Sequence, residues 1–335
     1  MPFSPSINCS TEDRGGWRSG VPWKAEAAFG RLLDGLGTHH APGSGTIMTR
    51  LKDKLFSWGY VLDKTPTAAP FVFGKTRCSL ETAAAYLGVH KAFYMNSMFN
   101  VDYVRKHFRW DQECLDNCIA GRMSDAQLTR LADIDEVFCT LEHDNYFDSA
   151  LQIAERSLQF RNIKGIQFDD FNQSRDSPNY VSPATLRDIR RAIRTINPIL
   201  RIAIVTYSHL PVELQITPFV EDVDIVSRWC WIPSQDYWNQ HADDIKKVRD
   251  VIGNDKQLIQ GLYIHDFGTS MFCQYPVPLE IFRKSLIAAC ENTCGGLLDG
   301  LIIPQTGWFS ATSHYEHVSW MKQYLDWCDA TATFR

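Results

Sequence analysis

Acids, histidines and aromatic residues cluster along this chain at the points where short apolar runs give way to polar residues. The clusters are Glu142-His143-Asp144-Asn145, Asp169-Asp170-Phe171-Asn172, Tyr207-Ser208-His209, Arg228-Trp229-Cys230-Trp231, His265-Asp266 and Gln305-Thr306-Gly307-Trp308. Carboxylates crowded into a partly apolar site cannot all stay ionised, because like charge and desolvation raise one pKa while hydrogen bonds hold another down. Such a split supplies an acid and a base together. A lone Asp after a strand ordinarily caps the following loop. Two adjacent ones, with Glu142, Asp144 and Asp266 on neighbouring segments, point instead to catalysis. Asp170 is the candidate acid and Asp169 the candidate nucleophile or base. Because adjacent strand residues point apart, the opposite partner is expected from Glu142, Asp144 or Asp266.

The aromatic residues suit a small polar substrate. Trp58, Trp229, Trp231 and Trp308 offer flat apolar faces beside hydrogen-bonding groups, an arrangement that fits the C–H face of a sugar ring, although any one of them is equally at home as a core residue. Tyr207, His209, His265 and Gln305 complete the expected substrate-binding set. Arg228 belongs to it as well, since a guanidinium in such a place needs an acid or an anionic substrate group as partner. A second reading takes Glu142, His209 and His265, with the aspartates, as ligands of a divalent metal in a sugar isomerase, epimerase or lyase. No H-x-H stands in the first strand, where the sequence is WGYVLD, so the amidohydrolase pattern is missing.

The elements that must position these residues repeat eight times from Leu51 onward. Strand candidates are 55–62, 91–96, 136–141, 165–169, 201–207, 224–229, 257–264 and 300–304, each followed by a segment with helical periodicity. The helices are expected to begin near Ser79, Asp102, Phe147, Pro183, Val212, Gln235, Pro278 and His314, with Ser182-Pro183 a clear start and Asn197-Pro198 and Gly253-Asn254 clear stops. Strand and helix alternate without hairpin signals, which predicts an α/β protein, a (β/α)8 or TIM barrel spanning 51–335. An open doubly wound sheet is the competitor, but no glycine-rich phosphate loop follows any strand. In a barrel the strand ends that lead into helices form the working face, where the acids lie. Alternation turns Gln167 and Asp169 toward the axis, and likewise Tyr263 and His265. Residues 1–50 are rich in Gly, Ser, Pro and Thr and are expected to be a flexible extension, with one short amphipathic helix over 23–36.

Composition narrows the partners. The chain has 335 residues, 44% hydrophobic and 22% charged, with net charge −5, and no run of Lys or Arg. That balance disfavours nucleic acid and anionic membranes and suits a small-molecule or oligosaccharide substrate. No stretch reaches the roughly 20 apolar residues of a membrane span, and the first thirty residues lack a secretory core, so a cytoplasmic protein is expected. The ten cysteines are scattered along helices and strands and read as buried thiols. Cys114/Cys118 and Cys290/Cys294 have helical spacing, but no CxxC pair or nearby histidine completes a zinc site. No cofactor is expected, and the oligomeric state is left open.

The segment IKGIQFDDFN, followed by SPATLRDIRRAI, resembles the fourth βα unit of glycoside-hydrolase-like barrels, in which a carboxylate ends that strand. The sequence departs from the well-marked families: it has no Asn-Glu at the end of strand four, no D-x-x-D-x-D-x-E run, and Asp266 near the place of a strand-seven Glu. The resemblance implies a glycosidase working through two carboxylates, with retention at roughly 5 Å separation and inversion at roughly 6.5–9.5 Å. The metal-dependent isomerase or lyase is one alternative, and a barrel that only binds a sugar is another.

Overall fold

Each strand forms where an apolar run is buried on both faces, the signature of a parallel sheet covered by helices. The run Arg201–Tyr207, RIAIVTY, is β-branched at several positions and buried throughout except at Arg201. The computed structural model describes residues 50–61, 78–95, 123–142, 145–177, 180–232, 234–266 and 275–334. Outside these lie residues 1–49 with the helix expected over 23–36, the helix expected near Asp102, the Cys114/Cys118 pair, His143 and Asp144.

The strands are β1 (Leu55–Gly59), β2 (Lys91–Tyr94), β3 (Glu136–Thr140), β4 (Ile163–Phe168), β5 (Arg201–Tyr207), β6 (Ile225–Trp229), β7 (Gln257–Gly261) and β8 (Gly300–Gln305). Each pairs in parallel with the next, and β8 pairs back to β1 through Leu301 and Leu55, closing the sheet. The described helices, numbered in chain order, are α1 (Leu80–Leu87), α2 (Asp125–Arg130), α3 (Tyr146–Gln159), α4 (Pro183–Ile196), α5 (Val212–Gln215), α6 (Gln235–Asn239), α7 (His241–Ile252), α8 (Leu279–Cys294) and α9 (Tyr315–Thr331). The result is the expected (β/α)8 barrel.

The helix boundaries show local physics at work. Ser182 accepts the Thr185 N–H at 3.0 Å and Pro183 opens α4, so this start matches its sequence signal. Two helices are shorter than the periodicity suggested. Helix α5 passes within a residue into a 3₁₀ stretch, Thr217–Asp222, at Pro218, which has no N–H to continue the ladder. The segment from Gln235 breaks at Gln240 (φ −110°, ψ 11°) into α6 and α7.

Large rings fill the lower barrel. Phe93 lies 5.2 Å from both Phe56 and Phe138, and Trp58 continues the stack upward at 5.7 Å from Phe93 and 5.0 Å from Trp229. Two strands yield space for them. A Cβ on Gly261 would lie 2.0 Å from the Trp229 ring, and one on Gly165 would lie 2.3 Å from the Arg201 carbonyl and 2.7 Å from the Phe138 ring. Because the first obstacle at Gly165 is backbone, it cannot swing aside. Gly165→Ala is therefore expected to destabilise the protein by about 1–3 kcal/mol in a urea titration, with the denaturant slope unchanged.

Candidate active site

The two ends of the barrel treat carboxylates differently. At the strand starts each acid meets cations: Glu136 pairs with Lys91 and Arg201, Asp224 with Arg190 and Arg194, and Asp299 with Arg249. Asp224 and Asp299 also accept the N–H groups of Ile202 and Leu258, at 2.8 and 2.7 Å. These acids hold the sheet together. At the far end, among the described residues, no Lys, Arg or His forms an ion pair with Asp169 or Asp170.

Asp169 follows β4 on the axis-facing side, two residues beyond Gln167, and is buried. Neither amide atom of Gln167 has a hydrogen-bond partner, so the inner face of β4 carries two costly polar groups in succession. The Asp170 N–H donates to Asp169 Oδ1 at 2.9 Å, and the Tyr207 hydroxyl donates to Asp170 Oδ1. Burial first, and the Asp170 carboxylate second, push the Asp169 carboxyl well above the usual carboxylate range, outweighing the one N–H that favours its charge. The hydroxyls of Tyr207, Tyr263 and Tyr146 are raised by burial and by the same two aspartates, so they remain protonated donors.

The turn that presents this pair is strained and then clamped. Asp170 (φ 49°) and Asn172 (φ 46°) both adopt the left-handed backbone, unusual for residues other than glycine. The Asn172 side chain accepts the Val181 N–H at 2.8 Å and donates to the Val181 carbonyl at 2.9 Å. Phe171 packs against Phe168 and Phe219, with centroids 5.7 and 4.9 Å away. Buried Gln215 accepts the Tyr207 N–H at 2.9 Å and donates to the Phe171 carbonyl at 2.8 Å, tying the end of β5 to the turn after β4. Asn172 and Gln215 are thus positioning residues that sequence reasoning missed, because nothing local marks a side chain that bridges two loops.

An aromatic wall stands beside the pair. The Tyr207 ring meets Trp231 edge-on at 5.8 Å, Trp231 meets Tyr263 edge-on at 5.8 Å, and Tyr263 lies 4.9 Å from Trp229. Of the expected binding residues, Tyr207, Trp229 and Trp231 gather here, with exposed His209 5.5 Å from the Tyr207 ring. Half-buried Tyr263 joins them. Trp58 sits lower, in the ring stack of the interior.

The other expected residues are placed elsewhere. Arg228 alternates to the outer face of β6 and makes a bidentate pair with Asp244 of α7, both bonds at 3.0 Å, while also donating to the Tyr207 carbonyl at 2.7 Å. Its guanidinium steadies β5 from behind. His265 and Trp308 are sealed from solvent in a stack, with centroids 3.9 Å apart and planes 10° from parallel. His314 extends the stack at 4.6 Å from Trp308, and its Nε2 lies 3.3 Å from His265 Nδ1. Burial, then His265 and His317, push the His314 imidazole down to about 3, so it stays neutral. The Glu142 N–H donates to Ser149 Oγ and the Asp266 N–H to the Tyr275 carbonyl, both at 3.2 Å. Asp144 and the Gln305 side chain lie outside the described residues. Among the described residues no three His, Cys, Asp or Glu side chains converge as a metal site, so Glu142, His209 and His265 do not form the ligand set envisaged.

No family model matches the chain, and no curated protein matches it. Solved structures do. A mutant of the tryptophan synthase α-subunit from the hyperthermophile Pyrococcus furiosus is similar at 9% identity and TM-score 0.48, over 83% of this chain and 98% of that one. Orotidine 5'-monophosphate decarboxylase from Methanocaldococcus jannaschii, complexed with the inhibitor BMP, is similar at 12% identity and TM-score 0.43, over 82% of this chain and 99% of that one. Neither is a glycoside hydrolase, and the expectation of a hydrolase and glycosidase finds no support in the comparisons. No described helix is long and apolar enough to cross a membrane.

Two outcomes follow from this geometry. Asp169 holds its proton more tightly when folded than unfolded, so its contribution to stability is full below the ordinary aspartate value and is lost as pH rises through its elevated pKa. Asp169→Asn should therefore match the parent in acid and become progressively more stable than it toward pH 8, as read by thermal unfolding across pH. Arg228→Ala should lower stability by about 2–4 kcal/mol, the lower end reflecting the partial exposure of Asp244. A purely substrate-binding Arg228 would leave unfolding unchanged.

Proposed function

We propose that this chain is an enzyme that moves protons on a small, polar, uncharged molecule, an isomerase-like or lyase-like reaction run by the Asp169 and Asp170 pair. The observation that carries the reading is the pair itself: two adjacent carboxyls at the mouth of a barrel, with the Tyr207 hydroxyl rather than a cation as side-chain partner. Asp170, half-buried and accepting from Tyr207, is the base that takes a proton from substrate. Asp169, kept protonated by burial, is the acid that returns one, so the two roles are exchanged relative to those expected from the sequence. Their environments separate the roles in the manner expected of an acid–base couple.

The wall of Tyr207, Trp231 and Tyr263 favours a flat or ring-shaped molecule, whose faces would lie on the rings while its polar edge meets the carboxyls. An anionic substrate fits poorly, since the cations described near the site are engaged: Arg228 is committed to Asp244. Clamping by Asn172, Phe171 and Gln215 supports the reading, because a strained turn held from three sides costs stability that a plain loop would not need.

The test is turnover of a mixture of small neutral metabolites in deuterated water, followed by mass spectrometry. The intact protein should deplete one component or label it with deuterium. Asp170→Asn should slow that change by about 10²–10⁴-fold, the usual contribution of a positioned acid or base. Full turnover by both Asp169→Asn and Asp170→Asn would sink the proposal.

A further inference from the structure

Among the described residues four glutamines are buried, and three of them use both ends of the side-chain amide. Gln127 accepts from the Tyr94 hydroxyl and donates to the Val61 carbonyl. Gln215 joins the Tyr207 N–H to the Phe171 carbonyl, and Gln260 joins the His241 ring to the Gly261 carbonyl. Gln167 is the exception. It is 1% exposed, and neither its amide oxygen nor its amide nitrogen has a partner. An amide enclosed in this way costs stability that a Met or Leu in its place would not.

The sheet fixes where this amide points. Gly165, two residues back on β4, faces the Phe138 ring of the interior, and alternation turns Gln167 the same way. The register sets Thr140 on one side of it and Ala203 on the other. Thr140 gives its hydroxyl to the Met95 sulfur at 3.3 Å, and Ala203 has no polar side-chain atom to offer. Two residues on, along the same face, stands Asp169, about 6.6 Å further up the strand. That rise matches the span of a six-membered ring with its substituents. A flat molecule whose upper edge meets the carboxyl pair can therefore set its lower edge on the Gln167 amide.

The chemistry of that lower edge follows from what the amide lacks. A primary amide presents C=O and N–H side by side, and the group that answers both in one plane is a cis-amide, with its own N–H beside its own C=O. A ketone or ether would leave the Gln167 oxygen unpaired, and a carboxylate would set negative charge against it. We propose that Gln167 is the floor of the substrate site and selects a neutral planar molecule with a lactam edge. The proposal rests on the acid–base reading of Asp169 and Asp170 for the chemistry performed, while the class of ligand rests on Gln167.

The experiment titrates the ¹⁵N-labelled full-length protein with 2-pyridone and with N-methyl-2-pyridone, two flat neutral rings of which only the first carries the lactam N–H. 2-Pyridone should bind at least about ten-fold more tightly and move the Gln167 side-chain NH₂ resonance downfield. Gln167→Met, of similar length and without hydrogen-bonding groups, should bind the two rings alike. Its thermal midpoint without ligand should equal or exceed that of the parent, since no hydrogen bond is lost. The proposal is overturned if the intact protein shows no preference for 2-pyridone, if the preference survives Gln167→Met, or if Gln167→Met lowers the midpoint and so reveals an amide already satisfied. Asp170→Asn should keep the preference for 2-pyridone. Its turnover in deuterated water decides the acid–base reading separately, so the two failures are told apart.

Discussion

Closure of the sheet governs everything else in this molecule. Eight parallel strands joined edge to edge leave no free edge, but they enclose an interior that must be filled by side chains pointing inward from every strand. Phe56, Phe93 and Phe138 fill the lower part, and Trp58 and Trp229 the part above, with Gly165 and Gly261 giving up side chains to make room. Once the interior is occupied by rings, polar groups on the inner face can survive only near the mouth. That is where β4 delivers Asp169.

The same geometry divides the charges. Acids at the strand starts are matched with arginines and with strand N–H groups, an arrangement that stabilises the barrel. At the mouth Asp170 is given a tyrosine partner and a strained turn, which costs stability. A protein that spends packing, Asn172 and Gln215 on holding Asp170 in a left-handed backbone trades stability for a fixed carboxyl pair.

Much of the fold was legible because strand and helix periods differ and both are written in apolar positions. All eight expected strands exist, with the start of β4 two residues earlier at Ile163, the ends of β1 and β7 three residues earlier at Gly59 and Gly261, and the end of β2 two residues earlier at Tyr94. The miss at β7 is physical: Leu262 and Ile264 are apolar and buried, but the chain there leaves the ladder. The break at Gln240 was hidden because residues on both sides favour helix. At the site, alternation placed Asp169 correctly on the axis side, and the same rule puts Arg228 on the outer face. Its partner Asp244, sixteen residues on in a helix, carries no such signal. Likewise Gln215 matters through contacts between elements, which spacing alone does not reveal. The glycosidase reading rested on that same step, since a count of acids at strand ends says nothing about which of them face each other.

The central claim is that Asp169 is a protonated acid beside an Asp170 base, and nuclear magnetic resonance of aspartate labelled with ¹³C at its side-chain carboxyl tests it directly. One carboxyl resonance, assigned by its loss when Asp169 is replaced, should keep its protonated shift at neutral pH, titrate well above the ordinary aspartate value of about 3.9, and move down toward that value when the Asp170 charge is removed. Titration of that resonance near the ordinary value, unchanged by loss of the Asp170 charge, would contradict the account.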